Sequence, residues 1–179
     1  MYGISQLDNI VYVVLHQCAI IKTYTADTLS PLGEDIHVEG MREPQDIVVC
    51  RHDRQLYVAD CDLFDSKHNC IWRVSVDDRS YVKWLTLSST DTFLVNTLSL
   101  TSRHLLVTSS KSRTVRQYST MNKELLCVVD LSQYVKRLRR AVETTHDTFV
   151  VFHKGTSQDE LQWAVSELFR FCYVSQAAR

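Results

Sequence analysis

The stretch Gln55-Leu56-Tyr57-Val58-Ala59-Asp60, followed by His68-Asn69-Cys70-Ile71-Trp72-Arg73, decides the fold. β-branched and aromatic residues dominate both halves, and Trp72 and Val74 alternate with Ile71 and Arg73 as strand residues do. A polar stretch separates the halves, so they read as neighbouring antiparallel strands. Weaker copies of the first half recur at residues 10–15, 104–108 and 148–152. With Tyr12, Tyr57, Leu106 and Val151 as reference points, the separations are 45, 49 and 45 residues.

A repeat of that length is one four-stranded propeller blade. Each reference run is followed by a second short run, at residues 19–24, 70–75, 114–119 and 161–166. Outer strands are expected at 81–87 and 125–130, with a fourth copy at 169–174. Inner strands are expected at 45–50, 97–101 and 141–144. The first unit leaves almost no room for an inner strand before Ile10, so it is expected to begin inside a blade or to borrow a strand. The expected fold is all-β: a partial or open β-propeller of about four blades, built of four-stranded antiparallel sheets, with the last blade degenerate or helical. The blades are placed at 1–39, 40–90, 91–135 and 136–179, within one propeller fragment spanning 1–179. An open arc leaves apolar blade faces bare. The chain is therefore expected to be a piece of a longer ring, an arc completed by self-association, or a very small ring.

Two segments carry a competing helical pattern. Residues 134–144 include Lys136-Arg137-Leu138-Arg139-Arg140-Ala141, enough for a helical turn. Residues 158–169 place apolar side chains at 161, 164, 165, 168 and 169, with Ser157 and Glu160 spaced as a capping box. The repeat phase favours strands at both places, and strands are preferred.

Composition fits a globular chain of 179 residues, 45% apolar and 23% charged, long enough to bury roughly two-thirds of its unfolded surface. No apolar run is long enough for a membrane helix, and no secretion signal is visible at the N-terminus. Six cysteines without such a signal are expected to stay reduced, and a cytoplasmic protein is expected. A formal charge of −1 lends no support to nucleic-acid binding beyond local basic patches. Four glycines and two prolines are few for an all-β chain, so Asp, Asn, Ser and Thr are expected to build long hairpin connections.

On these motifs the chain resembles the NHL-repeat family of β-propellers. The matching pieces are Pro44-Gln45-Asp46-Ile47, Tyr57-Val58-Ala59-Asp60 and Asn69-Cys70-Ile71-Trp72-Arg73-Val74. The resemblance is strongest over residues 40–90. It departs in the long 61–68 connection, in the third unit, where Thr108-Ser109-Ser110 replaces the alanine-aspartate ending, and in the fourth, where His153-Lys154 does. The resemblance implies a rigid platform for proteins or RNA, with a minority of related propellers being metal-dependent enzymes. It gives Asp60 and Asn69 structural roles. The Asp60 carboxylate would accept backbone N–H bonds in the turn toward Asn69.

Candidate binding residues follow from exposure and chemistry. Leu63, Phe64, Asp65, Lys67 and His68 combine an apolar pair with charges on a long connection, a good anchor for a protein partner. Lys111, Arg113 and Arg116, with Lys136, Arg137, Arg139 and Arg140, form basic clusters suited to phosphate backbones, with Tyr118 and Tyr134 as candidate stacking platforms. Cys61, His68 and Cys70, near Asp62 and Asp65, have donor types suited to zinc, but lack a fourth ligand and a recognised close spacing. No metal or cofactor is therefore expected. A Cys61–Cys70 disulfide is the alternative under oxidising conditions. Asp46, Asn96 and Glu143 lie near inner strands but do not repeat in phase, and no nucleophile–histidine–acid set or phosphate loop can be assembled. No catalytic residues are assigned. The expected function is a non-enzymatic protein-interaction scaffold with a protein partner and no membrane association. The alternatives are an RNA-binding propeller, a metal-dependent propeller hydrolase or lyase, and a non-functional fragment of a longer propeller protein.

Overall fold

The computed structural model describes residues 3–62, 68–87, 93–101, 103–145, 148–154 and 163–169, with 145, 154 and 163–169 described by backbone alone. The described chain is all-β. Its strands are β1 (Gly3–Leu7), β2 (Ile10–Val14), β3 (Ile20–Thr25), β4 (Ile36–His37), β5 (Pro44–Cys50), β6 (Gln55–Cys61), β7 (Asn69–Ser75) and β8 (Tyr81–Thr86). They continue with β9 (Thr97–Leu100), β10 (His104–Ser109), β11 (Thr114–Ser119), β12 (Leu125–Asp130), β13 (Arg137–Thr145), β14 (Thr148–Lys154) and β15 (Trp163–Phe169).

Sequence neighbours are sheet neighbours throughout: β1-β2-β3-β4, β5-β6-β7-β8, β9-β10-β11-β12 and β13-β14-β15. Four up-and-down sheets of this kind are the blades of a partial, open propeller. The repeat period was visible because each blade spends a similar chain length on the same meander.

One expectation changes. The first blade has its own inner strand, β1, which pairs with β2 from Gly3↔Val14 to Leu7↔Ile10 around Asp8 and Asn9. The polar pair Ser5-Gln6 hides this strand from a hydrophobicity pattern, and Asp8 at φ 52 makes the tight reversal that leaves room for it. Residues 137–145 form the strand β13, the preferred alternative to the helical turn. Its partner β14 offers Val151 opposite Ala141 and Val150 opposite Val142, so cross-strand pairing outweighs the local helical spacing. The preferred strand alternative also holds over Trp163–Phe169. The proposed Ser157–Glu160 capping box, and all but Phe169 of the expected strand at 169–174, fall outside the described residues.

The chain divides into two compact units, Met1–Leu98 and Ser99–Arg179. In the first, the sheets β1–β4 and β5–β8 share one core: Leu7, Tyr12, Val14, Ile21 and Ile36 meet Ile47, Leu56, Val58, Trp72 and Val74. β1 lies so close to β5 that a Cβ on Gly3 would stand 2.7 Å from Ile47 N and 2.8 Å from Asp46 Cα. Only glycine fits there. In the second unit, Leu106 and Val115 pack on Leu138, Ala141, Phe149 and Val151.

The scarcity of glycine is met by side-chain-bearing residues in the left-handed region: Arg54 (φ 50), Arg79 (φ 59), Arg113 (φ 56) and Lys123 (φ 64), each just before or within a step of the next strand. Each costs about 1–2 kcal/mol relative to an unstrained residue. No described helix is long and apolar enough to cross a membrane.

Candidate metal centre

The central hairpin of the second blade builds this site. β6 and β7 pair in unbroken register, with Asp60 opposite Cys70 and Cys61 opposite Asn69. Directly opposed residues project to the same face and successive ones to opposite faces, so Asp60 and Cys70 share a face that Cys61 does not. Two residues further along β7, Trp72 joins that face. His68, just before β7, reaches back to it.

The result is a carboxylate with no solvent exposure, surrounded by donors. Asp60 Oδ1 accepts the Glu43 N–H at 2.7 Å and shares the Arg42 N–H, at 3.2 Å from each oxygen. Oδ2 accepts from Trp72 Nε1 at 2.8 Å and from His68 Nε2 at 2.7 Å, with Cys70 Sγ at 3.9 Å. An ionised carboxylate only accepts, so the His68 proton sits on Nε2. Burial pushes the Cys70 thiol up to about 12, and the negative charge of Asp60 adds to the rise. The indole of Trp72 is itself fixed, edge-on to Tyr81 and with Lys83 Nζ 5.2 Å from its centroid. A Cβ on Gly40, which sits at φ 87, would stand 3.5 Å from Trp72 Cη2.

One carboxylate oxygen, one imidazole nitrogen and one sulfur lie within 4.8 Å of one another, all buried. Zinc binds such donors at about 2.0–2.3 Å, and three protein ligands with a remaining position is the pattern of catalytic zinc. An ion here would spread the 2.7 Å Asp60–His68 pair, take the place of the Nε2 proton and displace the Cys70 thiol proton. Trp72 and the two backbone N–H groups would continue to orient the carboxylate.

This overturns the expectation of a metal-free, non-enzymatic interaction scaffold. The spacing argument tested Cys61 with His68 and Cys70 and found too few ligands. Strand alternation turns Cys61 away and turns Asp60 in, so the third candidate donor is the residue assigned only a structural role. Cys61 and Cys70 are both thiols, and no disulfide joins them. Among the described residues, the backbone donors to Asp60 are Arg42 and Glu43, upstream of β5, while residues 63–67 of the turn toward Asn69 lie outside the described residues. Asn69 instead spans to residues 93–95, donating to Phe93 O at 2.6 Å and accepting from Val95 N at 3.1 Å.

The other candidates are scattered. Of the protein-contact group, Leu63, Phe64, Asp65 and Lys67 lie outside the described residues, and His68 is buried at Asp60 and not presented outward. Of the basic residues, Lys136, Arg137, Arg139 and Arg140 are exposed along β13 and just before it, and Lys111 is exposed in the β10–β11 turn. Arg113 and Arg116 are half-buried. Tyr134 is exposed, but Tyr118 is buried and offers no stacking face.

No protein-family model matches the sequence, and no curated protein matches it either. Similarity appears among solved structures. Hydrazine synthase from Kuenenia stuttgartiensis aligns over 94% of this chain and 45% of its own, at 14% identity and TM-score 0.69. A chain of a nidogen/laminin complex aligns over 87% of this chain and 57% of its own, at 12% identity and TM-score 0.66. A chain of a mitotic checkpoint complex aligns over 84% and 45%, at 10% identity and TM-score 0.61. The chain thus spans about half the length of the structures it resembles. At these identities the likeness establishes the repeated-sheet, propeller-like fold and nothing finer.

Proposed function

We propose that the chain is a metal-binding partial propeller of NHL-like type, in which Asp60, His68 and Cys70 hold a zinc-class ion for hydrolytic or lyase chemistry. The observation that carries this is the convergence of three different ligating atoms on one buried point. The mixed S, N, O set favours zinc over magnesium or calcium, which prefer all-oxygen surroundings. A bound ion would lower the pKa of a water in its remaining position and polarise a carbonyl. The chain's own contribution is to fix the carboxylate through Trp72 and the Arg42 and Glu43 amides. Two of the similar structures are of complexes, the mitotic checkpoint complex and a nidogen/laminin complex, which supports a protein partner alongside this chemistry.

Cobalt substitution tests the reading. Binding of Co2+ through Cys70 gives a sulfur-to-cobalt charge-transfer band that disappears in Cys70→Ser, and zinc competes it away. Hydrolysis of activated esters and lactones by the zinc-loaded full chain, absent after chelation, tests the chemistry separately. A second reading has a specific observation behind it: Asp60 is already fully satisfied by protein donors. In that case the cluster is a hydrogen-bonded lock between β5, β6 and β7, and neither the cobalt band nor zinc-dependent turnover appears.

A further inference from the structure

We infer that the first blade governs the metal affinity of the Asp60 cluster through a link formed by His16 and Glu43, in which His16 is a remote positioning residue. The inference rests on the metal-binding reading above and adds a means of control to that same site. Glu43 is the joint. It lies just before β5, where the chain enters the second blade. Its N–H makes the shorter of the backbone contacts to Asp60, 2.7 Å to Oδ1 against 3.2 Å from the Arg42 N–H. Its carbonyl accepts from Cys61 N at 3.1 Å and from Gln45 Nε2 at 3.2 Å, and the same Gln45 nitrogen reaches Cys61 O at 3.1 Å. The Glu43 backbone is therefore fastened to the end of β6 that carries Asp60.

The Glu43 side chain makes its contact with the other blade. Its Oε2 lies 2.9 Å from Nδ1 of His16, in the connection between β2 and β3. That contact is an ion pair whenever the imidazole is protonated. The Glu43 side chain is only 16% exposed, which shields the pair from part of the solvent screening that weakens surface ion pairs. One residue thus joins a first-blade connection to a ligand carboxylate: His16 holds the Glu43 side chain, and the Glu43 backbone holds Asp60. Groups that hydrogen-bond a ligating carboxylate set the angle at which it meets an ion. Moving Glu43 therefore moves the ligand. The same two blades share a second ion pair beyond the far end of β5, where Arg54 Nη1 lies 2.8 Å from Asp8 Oδ2. That pair joins the blades without passing through Glu43, so it separates a specific link from general loosening of the contact between them.

Titration of Co2+ into the full chain, followed by the sulfur-to-cobalt band, reads the affinity. Glu43→Ala and His16→Ala should each weaken it by about tenfold, as loss of a group that orients a ligand does. The double variant should bind no more weakly than either single one, because both remove the same link. Asp8→Asn, which disrupts the other ion pair, should leave the affinity unchanged. Unaltered affinity in both single variants, losses that add in the double variant, or an equal loss in Asp8→Asn would each overturn the link alone. No cobalt band in the unmodified chain would overturn the metal reading and the link together. Should Glu43→Ala fail to fold, His16→Ala carries the test with Asp8→Asn, since the His16 side chain is 44% exposed.

Discussion

At the scale of single residues, the side chains around Asp60 separate stability from metal binding. Trp72→Phe keeps the ring contact with Tyr81 but removes the 2.8 Å bond to Oδ2. Loss of a bond to a buried charge costs about 1–3 kcal/mol, which urea unfolding would register as a lower midpoint with an unchanged slope. Asp60→Leu strands several buried donors at once and should cost about 3–5 kcal/mol. A stability within error of the unmodified chain would show that Asp60 does not hold the blade together. The thiol of Cys70 makes a pH prediction. Its folded value, about 12, lies above its ordinary value of 9.0, so above pH 9 the unfolded chain holds fewer protons than the native one. Stability is therefore intact below pH 9 and falls as pH rises from there toward 12. Tyr57, also raised by burial to about 12 from 10.0, acts in the same direction from pH 10. Thermal melts of Cys70→Ser should show a shallower alkaline decline. Zinc affinity should instead increase with pH, because binding displaces the same proton.

At the scale of elements, the blade contacts depend on a few backbone requirements. Gly3→Ala would force β1 away from β5, since the new methyl meets backbone atoms that cannot rotate aside. Overpacking of that kind costs about 1–3 kcal/mol, and amide exchange should rise in β1 and β2 ahead of β6 and β7. Lys123→Gly tests the opposite effect. Removing the Cβ at φ 64 relieves left-handed strain of about 1–2 kcal/mol, offset by about 0.5–1 kcal/mol of added chain entropy in the unfolded state. The variant should melt slightly higher, and a lower melting temperature would mean that the turn is not strained. How much of each element could be read in advance depended on pairing. β6 and β7 announce themselves because both faces of both strands are mostly buried and apolar. β1 does not, because its middle residues are exposed or half-buried and only its ends are covered.

At the scale of the whole molecule, residues 1–98 have their own shared core between two complete sheets. That segment expressed alone should give a cooperative unfolding transition with Trp72 and Trp84 shielded from a fluorescence quencher. Quenching as rapid as in the denatured chain would show that two blades of this kind cannot stand without the rest.

The amino-acid sequence by itself determined the all-β class, the blade period and the identity of the best-formed hairpin. Alternation, turn residues and repeat length are short-range properties, and each blade writes them out again. Only the tertiary structure decided which side chains meet. Asp60, His68 and Cys70 are brought together by strand register and by a residue folding back at the strand entrance. That arrangement has no fixed spacing along the chain, because a set of candidate ligands is a property of distances in space, and strand pairing brings close in space what the sequence keeps apart.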